Sequence, residues 1–255
     1  MQPLESKIAL LIDADNAPAS KIEAIISEIA KYGVTNIRKA YGNWKNSSLK
    51  GWEDNLHEFA IRPVQQFEYT KGKNATDAAL IIDAMDLLYT QTLDAFAIVS
   101  SDCDFTPLVM RILTSGLKVY GFGEKKTPLP FVCACSKFLY LETLGQDIDP
   151  ETSKERGSTR KTNKELKQDT KLINLLRRAI ESTNEEDGWS TLSSIGSHIS
   201  NQASFDPRNY GYKKLSALFE SIDLFELKRK NNVIYVKSKK KPRTSEKKQR
   251  CSENP

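Results

Sequence analysis

Four aspartates are placed where they could do chemistry together. Asp13 closes the apolar run 8–12, Asp77 opens an apolar-periodic stretch that reaches Tyr89, and Asp102 and Asp104 follow the apolar run 95–99. If those runs are neighbouring parallel strands, the carboxylates converge in the crevice where open α/β sheets hold their ligands. Uncompensated carboxylates gathered in one place are costly unless a hard divalent cation neutralises them. The chemistry this points to is metal-assisted phosphoryl transfer. Each acid also has a plainer reading. Asp77 suits the positive end of a helix dipole, one of Asp102 and Asp104 suits a helix cap, and Asp15 or Asn16 suits a cap ahead of Pro18. Asp13 is favoured as a ligand, with Asp15 and Asn16 supporting or capping. Asp83 and Asp86 fall outside their helix's apolar stripe and read as solvated.

Around these acids stand few other reactive groups. The histidines are His57 and His198, neither in these motifs, so a metal rather than a histidine base would have to activate water. No G-x-G-x-x-G follows the first apolar run and no P-loop occurs, which counts against a nucleotide cofactor. The four cysteines, Cys103, Cys133, Cys135 and Cys251, lack zinc spacing and read as reduced, mostly buried thiols. Lys71 and Lys73, just before Asp77, read equally as phosphate contacts or as a solvated loop. Trp44, in a polar loop, suits stacking on an unpaired base, whereas Trp52 fits an apolar stripe. Phe67 and Tyr69 either line the same groove or pack inside.

The elements that must position the acids alternate. Strands are expected at 8–12, 36–41, 61–65, 95–100, 118–122 and 137–141. Helices are expected at 18–31, 47–59, 76–89 and about 105–113, from apolar residues at helical spacing. That order implies a mainly parallel sheet with right-handed crossovers. From 146 to 167 the chain is polar and charged, as a linker would be. Periodicity then resumes over 168–238: helices at 170–183, 192–201 and 211–221, strands at 224–228 and 233–237, and an Asn231-Asn232 turn. Three helices and a hairpin make the layout of a winged helix-turn-helix. Residues 239–255 form a basic tail expected to be disordered.

Charge divides along the same line. Residues 1–150 hold 15 Lys and Arg against 19 Asp and Glu, whereas residues 151–255 hold 23 against 14. An acidic half joined to a basic half fits a metal site coupled to a polyanion-binding region. Tyr210, Tyr212, Lys213 and Lys214 lie at or near the start of the third helix, where a helix-turn-helix meets nucleic acid, and Arg208 would add a phosphate contact. Burial is the other reading for Tyr212. Lys228, Arg229 and Lys230 would add contacts from the wing, while Trp189, Leu215, Leu218 and Phe219 read as core. No apolar stretch approaches the roughly 18 residues of a membrane span, and the N-terminus lacks the pattern of an export signal, so a cytoplasmic, non-membrane protein is expected.

Residues 5–145 resemble the NYN domain, a PIN-like, nuclease-type fold of LabA-like proteins. The likeness rests on Leu10-Leu-Ile-Asp-Ala-Asp-Asn16, Tyr41-Gly-Asn-Trp44, Lys73-Asn-Ala-Thr-Asp77, Val99-Ser-Ser-Asp-Cys-Asp-Phe105 and Val119-Tyr-Gly-Phe-Gly123, in that order. Residues 168–238 resemble the OST-HTH (LOTUS) winged helix, chiefly through Gly211-Tyr-Lys-Lys-Leu-Ser-Ala-Leu-Phe219. The resemblance implies a Rossmann-like, three-layer α/β fold with a mainly parallel sheet, followed by a small winged helix-turn-helix domain. It implies Mg²⁺ or Mn²⁺ held at Asp13, Asp77, Asp102 and Asp104, with Asn16 and Ser101 beside them, and cleavage of single-stranded RNA. For the second domain it implies RNA binding or docking of a protein partner. The alternative expectation is a catalytically silent RNA-binding adaptor that keeps the fold.

Overall fold

A computed structural model of the chain describes residues 5–67, 75–145, 160–184 and 187–239. The N-terminal domain is built on six strands: β1 (Lys7–Asp13), β2 (Val34–Gly42), β3 (Arg62–Gln65), β4 (Ala95–Val99), β5 (Lys118–Gly123) and β6 (Lys137–Tyr140). They are all parallel, in the order β3-β2-β1-β4-β5-β6. The chain winds outward from β1 in one direction and from β4 in the other. The two adjoining central strands therefore diverge in connection at their C-terminal ends, which opens a crevice there. Asp13 ends β1, and Ser100 to Asp104 follow β4.

Five helices cover the sheet: α1 (Ile22–Ile29), α2 (Glu53–Glu58), α3 (Ala75–Thr90), α4 (Thr106–Thr114) and α5 (Leu129–Ala134). Alternation along β1 divides its side chains between two cores. Ile8, Leu10 and Ile12 pack with α1, while Ala9 and Leu11 pack with α3 and α4. Asp13 continues the second set, so its carboxyl faces the layer that contains α3. The helix expected over 47–59 begins as a 3-10 segment, Ser47–Trp52, before α2, and the one expected from 18 begins as a 3-10 turn at Ala19–Lys21. Helix α5, lying between Pro128 and Ser136, is too short for periodicity to reveal.

Asp83, read from its position as a solvated residue, is instead half-buried. It accepts both hydrogen bonds of Lys39 Nζ, at 2.7 and 2.9 Å, and one from the buried Tyr41 hydroxyl, tying α3 to β2. Among the described cysteines, Cys135 is buried but Cys103 and Cys133 are exposed, against the expectation of mostly buried thiols; all three are free.

The C-terminal domain comprises α6 (Asn163–Gln168), α7 (Thr170–Thr183), β7 (Ser190–Thr191), α8 (Leu192–Gln202), α9 (Leu215–Glu220), β8 (Phe225–Lys230) and β9 (Val233–Ser238). Its antiparallel sheet has the order β7-β9-β8. Asn231 and Asn232 both take positive φ, 49° and 60°, as a two-residue hairpin turn requires. The polar stretch 146–167 is not linker to its end. Thr162 and Glu165 form a reciprocal capping box, and Leu166, fully buried, anchors α6 in this domain's core. One apolar residue in a charged run is too weak a signal for periodicity to detect. Among the described residues no helix is long and apolar enough to cross a membrane.

The two domains are joined by a polar contact. A 3-10 segment, Pro207–Tyr210, rests against α1 and β6. The Arg208 guanidinium donates to both oxygens of Glu28 at 2.6 and 2.7 Å, and also to both oxygens of Asp206 at 2.9 Å. Lys137 Nζ lies 2.9 Å from Asp206. Asn209 accepts from the Tyr140 backbone N–H and donates to the Phe138 carbonyl, completing hydrogen bonds along the outer edge of β6.

Candidate metal centre

Asp13 is fully buried at the end of β1. Its Oδ2 accepts from Ser100 Oγ at 2.7 Å and from Asn16 Nδ2 at 2.9 Å, which fixes the plane of the carboxylate. Its Oδ1 is buried and, among the described residues, has no hydrogen-bond partner. A buried acceptor left without a donor costs about 1–3 kcal/mol, so its persistence calls for an explanation. Burial pushes the Asp13 pKa up, against the hydrogen bonds of Asn16 and Ser100.

Asp77 enters from the first turn of α3 and is 8% exposed. Its pKa is pushed up to about 6, first by burial and then by the charges of Asp13, Asp102, Asp104 and Asp15. The charges of these four acids therefore reach Asp77 across a shared crevice. Asp102 takes the N-cap position of a 3-10 turn, and its Oδ1 accepts from the Asp104 N–H at 2.9 Å. Asp102, the Cys103 thiol and Asp104 each offer a donor atom, all within 4.8 Å of one another. Asp13 and Asp77 stand outside that tight group. The crevice thus combines two buried carboxylates, Asp13 and Asp77, with a group of three donors of which Asp102 is half-buried and Cys103 and Asp104 are exposed.

The residues that support the acids differ in part from the expected ones. Asn16 does hydrogen-bond to Asp13. Ser101 is turned away, its Oγ accepting from the Glu124 N–H at 2.9 Å. Ser100 is the hub: its hydroxyl donates to Asp13 and accepts from the Asp102 N–H at 3.1 Å, coupling the ends of β1 and β4. Of the two adjacent serines, strand parity would have favoured Ser100, which follows the all-buried β4. Asp15 caps no helix; its Oδ2 accepts from Thr76 Oγ1 at 3.0 Å, pinning the start of α3 to the loop after β1. Gly123 allows β5 to close against β4, since a Cβ there would lie 2.6 Å from the Ser100 carbonyl oxygen.

The residues expected to meet nucleic acid are dispersed. Trp44 packs on the first core and donates from Nε1 to the Val64 carbonyl at 3.0 Å, which holds the loop to β3. Trp52 is core, as its stripe implied. Lys71, Lys73 and Tyr69 lie outside the described residues. Phe67 is exposed, with Lys45 Nζ 5.0 Å from its ring centre. The expectation that Arg208 contacts phosphate is corrected by its position, because Glu28 and Asp206 take up its guanidinium. Tyr212 is 3% exposed and donates to the Lys161 carbonyl at 2.7 Å, so its ring is core. Lys213 and Lys214 are exposed. Trp189, expected in the core, instead lies half-buried between Lys228 and Lys237, whose ammonium groups sit 4.6 and 5.7 Å from its ring.

Comparison with known proteins matches both halves. The family model for the NYN domain covers residues 7–142, and that for the OST-HTH/LOTUS domain covers residues 166–236. An uncharacterised protein of Methanocaldococcus jannaschii is 29% identical over 175 residues, 66% of this chain and 66% of its own, so the chain spans about two thirds of that relative's length. A crystal structure of a protein of unknown function from Vibrio parahaemolyticus aligns with 20% identity and a TM-score of 0.45, over 55% of this chain and 95% of that one. With more than half its length inside the first of these matches, the chain belongs to the NYN-domain family and carries an OST-HTH/LOTUS domain after it.

Proposed function

We propose that the chain is a metal-dependent ribonuclease that hydrolyses phosphodiester bonds of single-stranded RNA. The observation that carries this reading is the buried Oδ1 of Asp13, without a hydrogen-bond partner among the described residues, in a crevice where burial and the charges of Asp13, Asp102, Asp104 and Asp15 raise the proton affinity of Asp77. All-oxygen donors of that kind suit Mg²⁺ or Mn²⁺, hard cations that favour carboxylates. Asp13, Asp77, Asp102 and Asp104 would hold the ion. Once bound, it supplies Lewis acidity toward the phosphoryl oxygen and a nucleophile at neutral pH.

The chain's own contribution is positional. Ser100 and Asn16 hold Asp13 by one oxygen and leave the other available to an ion. The Thr76–Asp15 hydrogen bond sets the start of α3, and with it Asp77. His57 and His198 lie on α2 and α8, away from the crevice, so no imidazole is placed to move the proton. Lys213 and Lys214 on the second domain, and Lys71 and Lys73 before α3, would bind phosphates.

The test is cleavage of end-labelled single-stranded RNA and DNA, with and without Mn²⁺. Metal-dependent RNA cleavage by the wild type and its loss in Asp102→Asn are expected. Salt-sensitive RNA binding without any divalent-dependent product would instead establish a silent adaptor. That second reading draws on the exposed Lys228, Arg229 and Lys230 of the wing.

A further inference from the structure

We infer that the cleft between the two domains is a track for the backbone of single-stranded RNA, with helix α1 of the NYN domain as one wall and residues 213–215 of the winged helix as the other. This inference rests on the ribonucleic-acid reading above. The cleft has a volume of about 790 Å³, and its α1 wall includes Ala24, Ser27 and Glu28, with Lys31 just past the helix end. Its charged lining comprises Lys31, Lys137, Arg208, Lys213 and Lys214 against Glu28 and Asp206. The two carboxylates are buried and already answered by Arg208 and Lys137. Lys213 and Lys214 are exposed, and among the described residues neither has a carboxylate within ion-pairing distance. Lys31 reaches Glu28 but keeps its side chain 60% exposed. The surplus charge of the cleft is therefore positive and faces solvent.

Three features favour a nucleic-acid strand as the occupant. First, the half of the chain that carries the crevice is acidic, with 15 Lys and Arg against 19 Asp and Glu over residues 1–150. A polyanion has to be attracted by something else, and counter-charge from the second domain meets the first at this cleft. Second, the cleft reaches residues that follow the C-terminal end of β6, the side of the sheet on which the crevice opens. Leu144 and Gly145 line it, and Lys21 Nζ, at the start of α1, donates to the Leu144 carbonyl at 3.2 Å. The loop between Asp13, at the end of β1, and α1 carries Asp15 and Asn16, and the eight residues of α1 span about 12 Å. Third, the walls are held in register: the bidentate Arg208–Glu28 pair and the Asn209 bonds to β6 fix the winged helix on the NYN domain.

The experiment is photocrosslinking of the full chain to single-stranded RNA containing 4-thiouridine. It is run without divalent ions, so that binding is read apart from cleavage, and crosslinked peptides are mapped. Crosslinks within 24–31 and 213–215 are expected. The Lys213→Glu/Lys214→Glu double variant should bind at least ten-fold more weakly, with the slope of log affinity against log salt reduced by about two. Lys31→Gln, on the other domain, should weaken binding two- to three-fold. Crosslinks confined to the wing at 228–232, or a double variant that melts like wild type and binds RNA as tightly, would overturn the track. So would polyglutamate displacing the RNA at equal charge concentration, which would make the cleft a site for acidic protein. A chain that crosslinks through the cleft yet cleaves nothing upholds the track and removes only the nuclease reading.

Discussion

Carboxylates are buried in two places in this molecule, and their protons are held in opposite ways. At the strand ends, burial pushes Asp13 up, and burial with neighbouring aspartates pushes Asp77 up to about 6. At the domain contact, Glu28 and Asp206 are as well buried, but Arg208 outweighs the burial at both, joined by Lys31 and Tyr32 at Glu28 and by Lys137 at Asp206, and both are pulled down, Glu28 to about 2. Burial is common to the two sites; what differs is whether the fold supplies the cation. The contact is electrostatically complete and acts as structure. Among the described residues no lysine or arginine is a main influence on Asp13 or Asp77, which is the condition the proposed metal site requires.

The largest test of that contrast removes one acid from the incomplete site. Asp13→Asn should leave the fold intact, since Ser100 and Asn16 can still engage the amide, yet reduce Mn²⁺-dependent RNA cleavage by more than about 100-fold. Ser100→Ala, which removes only a donor to Asp13, should lower it by about ten-fold. Rates from single-turnover assays on labelled RNA check both, and circular dichroism checks the fold. Full activity in Asp13→Asn would mean that the crevice is not where the chemistry occurs.

The matching change at the complete site is Arg208→Ala. It leaves Glu28 and Asp206 buried with less compensation, and removing one partner of a buried pair costs about 3–5 kcal/mol. The loss falls on the contact between domains rather than on either core. Scanning calorimetry should therefore show the winged helix melting separately and earlier, and small-angle scattering should show a larger radius of gyration. An unchanged single transition would mean that the paired cluster does not hold the domains together.

Much of the N-terminal domain was legible because its central strands, β1 and β4, are continuous apolar runs buried on both faces, and its longer helices repeat at 3.6 residues. The acids were legible for the same reason: Asp13 and Asp102 interrupt the pattern at the ends of β1 and β4. What could not be read was partnership across the chain. Arg208 beside Tyr212 suits a nucleic-acid face, and nothing local reveals that Glu28, 180 residues earlier, takes its guanidinium. Asp83 lies off its apolar stripe, yet Lys39 and Tyr41 on β2 reach it. Ser100 and Ser101 differ only in which way the backbone turns after β4. Local periodicity specifies elements, whereas these assignments depend on which elements become neighbours.

Acid offers a milder probe of the contact than mutation. Glu28 has its pKa lowered in the fold, so its ionised form contributes stability above its ordinary value of 4.5. That stability is lost as pH falls from there toward about 2; Asp206, also lowered, acts in the same direction. The melting of the winged helix should move earlier across that range in the wild type, and much less in Glu28→Gln, whose baseline is already lowered. A wild type whose domains stay coupled at pH 3 would sever the link between these protons and the contact.

The smallest expected effect has the opposite sign and belongs to the crevice. The folded pKa of Asp77, about 6, lies above its ordinary 3.8. The folded state therefore binds that proton more tightly than the unfolded chain, and the associated stability is full below 3.8 and lost as pH rises through about 6. At neutral pH, with divalent ions chelated, the ionised cluster weakens the fold. Asp77→Asn removes one repelling charge without changing size, so its melting temperature should rise by about 2–4 °C, the usual scale of a relieved functional site. Adding Mn²⁺ should reverse the ranking, because the ion stabilises whichever protein holds it more tightly. Protons should compete with that binding as pH drops below about 6. A metal-free Asp77→Asn variant that melts below wild type at pH 7 would show that Asp77 is held by favourable contacts, and the distinction between the two carboxylate sites would fail.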